Sequence, residues 1–212
     1  MNKRALAAAL LGLITLTSLS MAKDGSENFD TTAVGKLPSD WIAGDTGFGS
    51  PKWAVSADPS APSKANVLLQ SGSGRYPWAV SQNARIANGF VETRFKAISG
   101  KTDSAAGVVW RWADGNTYYV ARANANENNV ALYYTTWGIR STIKYVNAPV
   151  ARNEWQTLRV EFQGTRIRVI LNSKTVIELD DDHIKKVGAV GLWTKEDSVT
   201  AFDNFAWGER KP

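Results

Sequence analysis

The 212-residue chain has no cysteine and a single histidine, and beyond its first two dozen residues it has no apolar run long enough to cross a bilayer. The missing cysteine excludes disulfides, CxxC zinc sites, iron–sulfur centres, c-type haem attachment and any thiol nucleophile. A histidine-dependent triad would have to run through His183. That residue follows Asp180, Asp181 and Asp182 in a polar stretch with no G-x-S-x-G elbow beside it, and it reads as a surface histidine. No glycine cluster opens a helix after a strand, which removes the phosphate cradles of nucleotide-binding folds. Helical periodicity is also scarce, with only residues 181–186 offering one amphipathic turn. Positive charge is not concentrated anywhere. The 25 Lys and Arg against 20 Asp and Glu leave a net +5, and the bases interleave with acids along the chain instead of forming a stripe for nucleic acid.

The chain opens with Lys3 and Arg4, an apolar stretch over 5–16, and small residues at Ser20 and Ala22. This is the pattern of a secretory signal peptide over residues 1–22, cleaved after Ala22, and its apolar run is too short for a membrane span. Its removal takes away the two charges of Lys3 and Arg4 and no acid. Residues 23–212 are then expected to form one domain, periplasmic or secreted, large enough to bury a core without staples. Nothing in the sequence selects an oligomeric state.

An irregular, turn-rich stretch over 23–63, whose rings at Phe29, Trp41, Phe48 and Trp53 are expected to pin its loops to a core, holds one strand signal, and beyond it strand signals recur almost without interruption. They fall at 53–57, 66–70, 90–98, 106–112, 117–124, 129–135, 139–146, 156–163, 165–171, 174–179, 187–193 and 201–207. These segments are rich in Val, Ile, Thr, Tyr and Trp and are separated by Asp-Gly, Asn-Gly and Gly-Thr turns, which predicts antiparallel sheets in a sandwich or barrel. Val91, Thr93 and Phe95 alternate with Glu92, Arg94 and Lys96, and Leu158, Val160 and Phe162 alternate with Arg159, Glu161 and Gln163, the pattern of strands with one wet face. The 107–124 hairpin differs. Strict alternation would put Gly107, Val109 and Arg111 opposite Val108, Trp110 and Trp112, and would gather Tyr118, Val120, Arg122 and Asn124 on one side. Neither side looks like plain solvent surface.

Nine Trp and six Tyr beside guanidinium and amide groups suit a pyranose, whose apolar face stacks and whose hydroxyls need partners. The candidate ligand-binding residues are Arg111, Asn116, Tyr118, Arg122, Asn124, Trp193 and Lys195, expected to line one concave cleft, with Asp114 and Asp197 as candidate catalytic bases. No pair of alternating acids on one strand announces a two-carboxylate glycosidase. The Asp180–Asp182 run offers oxygen ligands for a structural calcium, and no other cofactor is indicated.

Three stretches carry a resemblance: residues 107–125 (GVVWRWADGNTYYVARANA), 154–164 (EWQTLRVEFQG) and 190–205 (VGLWTKEDSVTAFDNF). They resemble the 3-keto-disaccharide hydrolase family, formerly a domain of unknown function, of the concanavalin A-like lectin and glucanase superfamily. The resemblance runs from Phe29 and the Leu37-Pro38 pair to Phe205. It implies an all-β jelly-roll sandwich of two antiparallel sheets, one of them concave, often exported and tied to glycoside or 3-keto-glycoside breakdown. It adds Asp203 to the polar positions of the last motif. The Glu-x-Asp-x-x-Glu strand of laminarinase-like relatives is absent, so their retaining mechanism is not implied. The leading reading is an exported protein that binds a glycan or glycoside. The alternatives are a hydrolase or lyase of 3-keto-glycosides, in which one base removes the acidified C2 proton, and a structural or protein-binding sandwich.

Overall fold

A computed structural model describes residues 24–210, so the leader read at 1–22 lies outside the described residues. Seventeen strands and no helix are found there. They are β1 (Gly25–Glu27), β2 (Trp41–Asp45), β3 (Gly49–Ser50), β4 (Trp53–Ala57), β5 (Asn66–Gln70), β6 (Ser73–Gly74), β7 (Pro77–Ile86), β8 (Gly89–Ser99) and β9 (Ala105–Asp114), followed by β10 (Thr117–Asn124), β11 (Asn129–Thr136), β12 (Ile139–Asn147), β13 (Gln156–Gln163), β14 (Arg166–Leu171), β15 (Lys174–Asp180), β16 (Gly188–Trp193) and β17 (Val199–Glu209). The first sheet runs β15-β14-β13-β8-β17-β5-β4, with β1 also paired to β17. The second runs β12-β11-β10-β9-β16-β7-β2, and β3 with β6 forms a small ribbon. Every pairing between these strands is antiparallel.

The main core lies between the sheets. Val91, Phe95, Leu158, Val160, Phe162 and Phe202 of the first meet Val108, Trp110, Tyr119, Ala121, Val190 and Leu192 of the second. These are the inward positions of the alternating strands, and Trp110 stacks between Tyr119 and Phe162 at centroid distances of 5.2 and 5.9 Å.

Two expectations fail in instructive ways. Residues 181–186 are a loop, not a helical turn. The ten-residue β7, which sits inside the second sheet between β16 and β2, falls in a stretch that gave no strand signal. Proline opens it, where the ladder does not need its missing N–H, and Gln82 and Asn83 sit where its register on β16 jumps from Ser81 to Arg85. Polar residues at a bulge hide the alternation on either side.

Candidate functional site

The outer face of the second sheet, turned away from the core, is not an ordinary wet surface. Tyr76, Trp78, Val80, Val109, Trp112, Tyr118, Val120, Ala131, Tyr133 and Trp193 form a second apolar cluster on it, without any residue from the first sheet. The pairing explains how they meet. Trp78 is opposite Trp193, Trp193 opposite Gly107, Gly107 opposite Arg122, Arg122 opposite Ala131, and Ala131 opposite Tyr145, one cross-strand row over six strands. Glycine suits position 107 in that row, because a Cβ there would lie 2.9 Å from the Ala121 carbonyl oxygen and 3.2 Å from the Trp193 ring.

Across this face lies Arg140, from β12 at the sheet edge. Its guanidinium carbon is 4.2 Å from the Tyr133 ring centre, 4.4 Å from Tyr76 and 5.8 Å from Trp193, and Tyr76 in turn stacks on Trp193 at 5.7 Å. Cation–π contacts of this kind contribute on the order of 0.5–2 kcal/mol each. Arg140 Nη1 is buried and has no hydrogen-bond partner.

A polar network borders the aromatic group. The buried Asp103 carboxylate, from the β8–β9 connection, accepts a hydrogen bond from Asn124 Nδ2 at 2.6 Å and another from Lys195 Nζ, and Arg122 Nη1 stands 3.9 Å away. Arg122, 2% exposed, donates through Nη2 to Glu127 at 2.8 Å and to Asn129 Oδ1 at 2.6 Å. Asn129 Nδ2 donates to Glu127 at 2.7 Å and to the Tyr145 hydroxyl. Partial burial acts to raise the Glu127 carboxyl. Hydrogen bonds from Asn129 and Arg122 and the charges of Arg122 and Lys195 outweigh it and hold Glu127 below the usual carboxylate range. The Tyr118 hydroxyl meets Thr46 Oγ1 at 2.7 Å, and burial raises its pKa despite that bond.

The nine sequence-predicted site residues therefore divide. Tyr118, Arg122, Asn124, Trp193 and Lys195 are brought together at the outer face. Asp114 and Asn116 lie at the β9–β10 turn, where Asp114 accepts the Asn116 N–H at 2.7 Å. Asp197 is committed to the backbone of the β8–β9 connection, accepting from the N–H groups of Lys101, Thr102 and Asp103 at 2.7 to 3.2 Å. Those bonds outweigh burial and hold its pKa low. Asp203 is buried in the first sheet and accepts from the Ser63 and Asn204 N–H groups.

Arg111 is a correction. It does not share a hollow with Arg122 but points into the core side of the sheet. There its guanidinium donates to the carbonyls of Ile184 and Gly164, both at 2.7 Å, and of Ala87 at 3.4 Å, over the Phe162 ring. The cause is a β-bulge. Ala189 pairs with Trp112 and Gly191 with Val109, so Trp110 and Arg111 together oppose one residue, and Arg111 takes φ 49°. Trp112 is thereby moved to the outer face, against Trp78 at 5.2 Å. The acidic run is also dispersed. Asp180 turns to Thr165 and Arg166, Asp181 to Tyr119 and His183, and Asp182 to Lys185. Among the described residues no group of three or more acidic or histidine side chains is placed to hold a metal ion.

Asp103, Glu127, Asn129, Tyr133, Arg140 and Tyr145 escaped the sequence reading. Arg140 and Tyr133 were detectable in principle, as outward positions of the two recognised strands that follow Tyr118 and Arg122 in the same sheet.

Residues 35–207 match the family described as the 3-keto-alpha-glucoside-1,2-lyase-like domain. The chain belongs to that family. No curated protein matches the sequence. Among solved structures, a carbohydrate-binding module, CBM66 from Bacillus subtilis, superposes with a TM-score of 0.64 at 20% identity, over 78% of this chain and 93% of the module. A protein of unknown function with a galectin-like fold, also from Bacillus subtilis, gives 0.62 at 10% identity, over 90% and 100%. The Bacillus licheniformis beta-glucanase gives 0.60 at 12% identity, over 89% and 98%. At these identities the likeness concerns the fold, and this 3-keto-alpha-glucoside-1,2-lyase-like domain is a concanavalin A-like jelly-roll sandwich.

Proposed function

We propose that the outer face of the second sheet receives a saccharide oxidised at C3 and promotes elimination between C1 and C2. The observation that carries this reading is Arg140, a cation laid over Tyr76, Tyr133 and Trp193 with a buried Nη1 that no protein acceptor satisfies. An unpaired guanidinium N–H beside aromatic rings is suited to the oxygen of a ring ketone, and the family match over residues 35–207 supplies the substrate class.

In this mechanism a C3 ketone acidifies the C2 proton. The Glu127 carboxylate, ionised because Arg122 and Asn129 hold it low, accepts that proton. The electron pair of the C2–H bond becomes an enolate on the C3 oxygen, opposite Arg140. It then returns to form the C1=C2 bond as the C1–O bond breaks, and the departing oxygen takes a proton from Glu127. Arg122 and Lys195 add fixed positive charge around the site.

A binding function without turnover is the second reading. It is favoured by the state of the acids: Asp103 is saturated by Asn124 and Lys195, and Glu127 is stabilised as a carboxylate, which weakens it as a base. Incubation with 3-keto-trehalose, followed by ultraviolet absorbance of the conjugated enone, separates the two. Turnover by the wild-type chain, cut at least a hundredfold in Arg140→Ala with the fold retained, is the expected result. Saturable binding with unchanged substrate establishes the second reading, and absence of both binding and turnover removes the saccharide assignment from this face.

A further inference from the structure

The turns β9–β10 and β11–β12 lie side by side because β10 pairs with β11, and they are tied where the Gly138 N–H donates to the Asn116 carbonyl at 3.1 Å. Between them is a hollow of about 470 Å³ lined by Asp114, Asn116, Thr117, Thr136 and Trp137. A second, of about 380 Å³, shares Thr117 and Thr136 and continues to Ala113, His183 and Lys186. The two are lobes of one groove along the sheet end. His183 is stacked on Tyr134 at 3.8 Å, and its Nδ1 is 2.8 Å from Asp181.

Trp137 has no structural reason to be a tryptophan. It is 91% exposed, so no core uses its ring. It also takes φ 54° at the first position of a two-residue turn whose second residue, Gly138, has φ 74°. Asparagine followed by glycine is the preferred sequence for such a turn, whereas a tryptophan with positive φ is strained. An exposed, strained indole beside a carboxylate, an amide and two hydroxyls has the two components that a pyranose requires: a flat apolar surface for its C–H face and short polar side chains for its hydroxyls. On the outer face the rings of Trp193 and Tyr118 are fully buried and already packed, whereas Trp137 is the most exposed ring among the described residues.

We infer that this groove is a second saccharide-binding site, in which one sugar ring stacks on Trp137 with its hydroxyls to Asp114, Asn116 and the two threonines, and the next ring lies toward His183. It shares the saccharide class with the proposed function but neither its residues nor its chemistry. The test is an NMR titration of the tryptophan indole N–H resonances in the full chain with laminaritriose, maltotriose and trehalose. The Trp137 resonance is assigned by its loss in Trp137→Asn, a variant that suits the turn and should melt no lower than wild type. The inference predicts a saturable shift of that resonance with at least one of the three sugars. For that sugar, affinity should fall at least tenfold in Trp137→Asn and several-fold in Asp114→Ala. A Trp137 resonance that stays in place with all three, or affinity unchanged in Trp137→Asn, overturns it. Cleavage of 3-keto-trehalose is read separately and depends on Arg140, so either idea can fail while the other stands.

Discussion

The outer faces of the two sheets are built from the same strand geometry and do opposite things. On the first sheet, Arg159, Glu92, Glu161, Arg168, Arg166 and Glu178 form a lattice of ion pairs, such as Arg168 to Glu161 at 3.0 Å and Arg166 to Glu178 at 2.9 Å, open to solvent at its margins. On the second, the charged groups are sunk among rings. Asp103 is 1% and Arg122 2% exposed, and the aromatic residues around them are almost wholly covered. An ion pair in water contributes little because solvent already serves both charges, whereas a buried one is tied to the integrity of its surroundings. The first face presents its ion pairs to solvent, and the second holds its charges in a fixed, buried pattern.

That contrast can be broken most forcefully at Asp103. Its replacement by alanine leaves Arg122 and Lys195 without their shared anion, and a loss of about 3–5 kcal/mol in denaturant unfolding is expected, as for other half-removed buried pairs. A loss below about 1 kcal/mol would mean that the second face is hydrated like the first. An intermediate effect is expected at Asp197, whose folded-state pKa is depressed by the amides of Asp103, Lys101 and Thr102 against the opposing effect of burial. A depressed carboxyl stabilises the fold above the unfolded Asp pKa of about 3.9 and loses that contribution as pH falls through the folded value. Asp197→Asn should therefore melt lower than wild type at pH 7 and approach it in acid, and parallel melting curves from pH 7 to 2 would refute the linkage. The smallest effect belongs to the first face. Glu161→Ala, which removes the partner of Arg159 and Arg168, should cost about 1 kcal/mol or less, with most of that lost in molar salt. A larger, salt-insensitive cost would make the two faces alike.

The same contrast governs what was legible. β13 and β14 were readable almost residue by residue, because a solvated face forces charged and apolar residues to alternate and Gly164-Thr165 marks the hairpin. The central strands of the second sheet are buried on both faces, so charged and apolar residues do not alternate there and alternation says little. β7 was lost for this reason, together with its irregular register at Gln82 and Asn83. Five of the predicted site residues, Tyr118, Arg122, Asn124, Trp193 and Lys195, do converge on one face. Asp103, Glu127 and Arg140 join them from two connections and an edge strand; Glu127 is five residues from Arg122 across one turn, whereas Asp103 meets Lys195 from 92 residues away, beyond the reach of any local motif.

By itself, the amino-acid order determined the class of the protein. The absence of cysteine, the succession of β-branched and aromatic segments and the three spaced stretches led to a two-sheet sandwich and to its family. Only the tertiary structure decided which side chains face one another. A period of two assigns a residue to a face only while the register is unbroken, and one extra residue at the Trp110–Arg111 bulge turned Arg111 inward and Trp112 outward. The site joins the consecutive hairpins β9–β12 to β16 and β7 from distant parts of the chain, and that joining is fixed by the packing of the whole sheet, which no segment encodes alone.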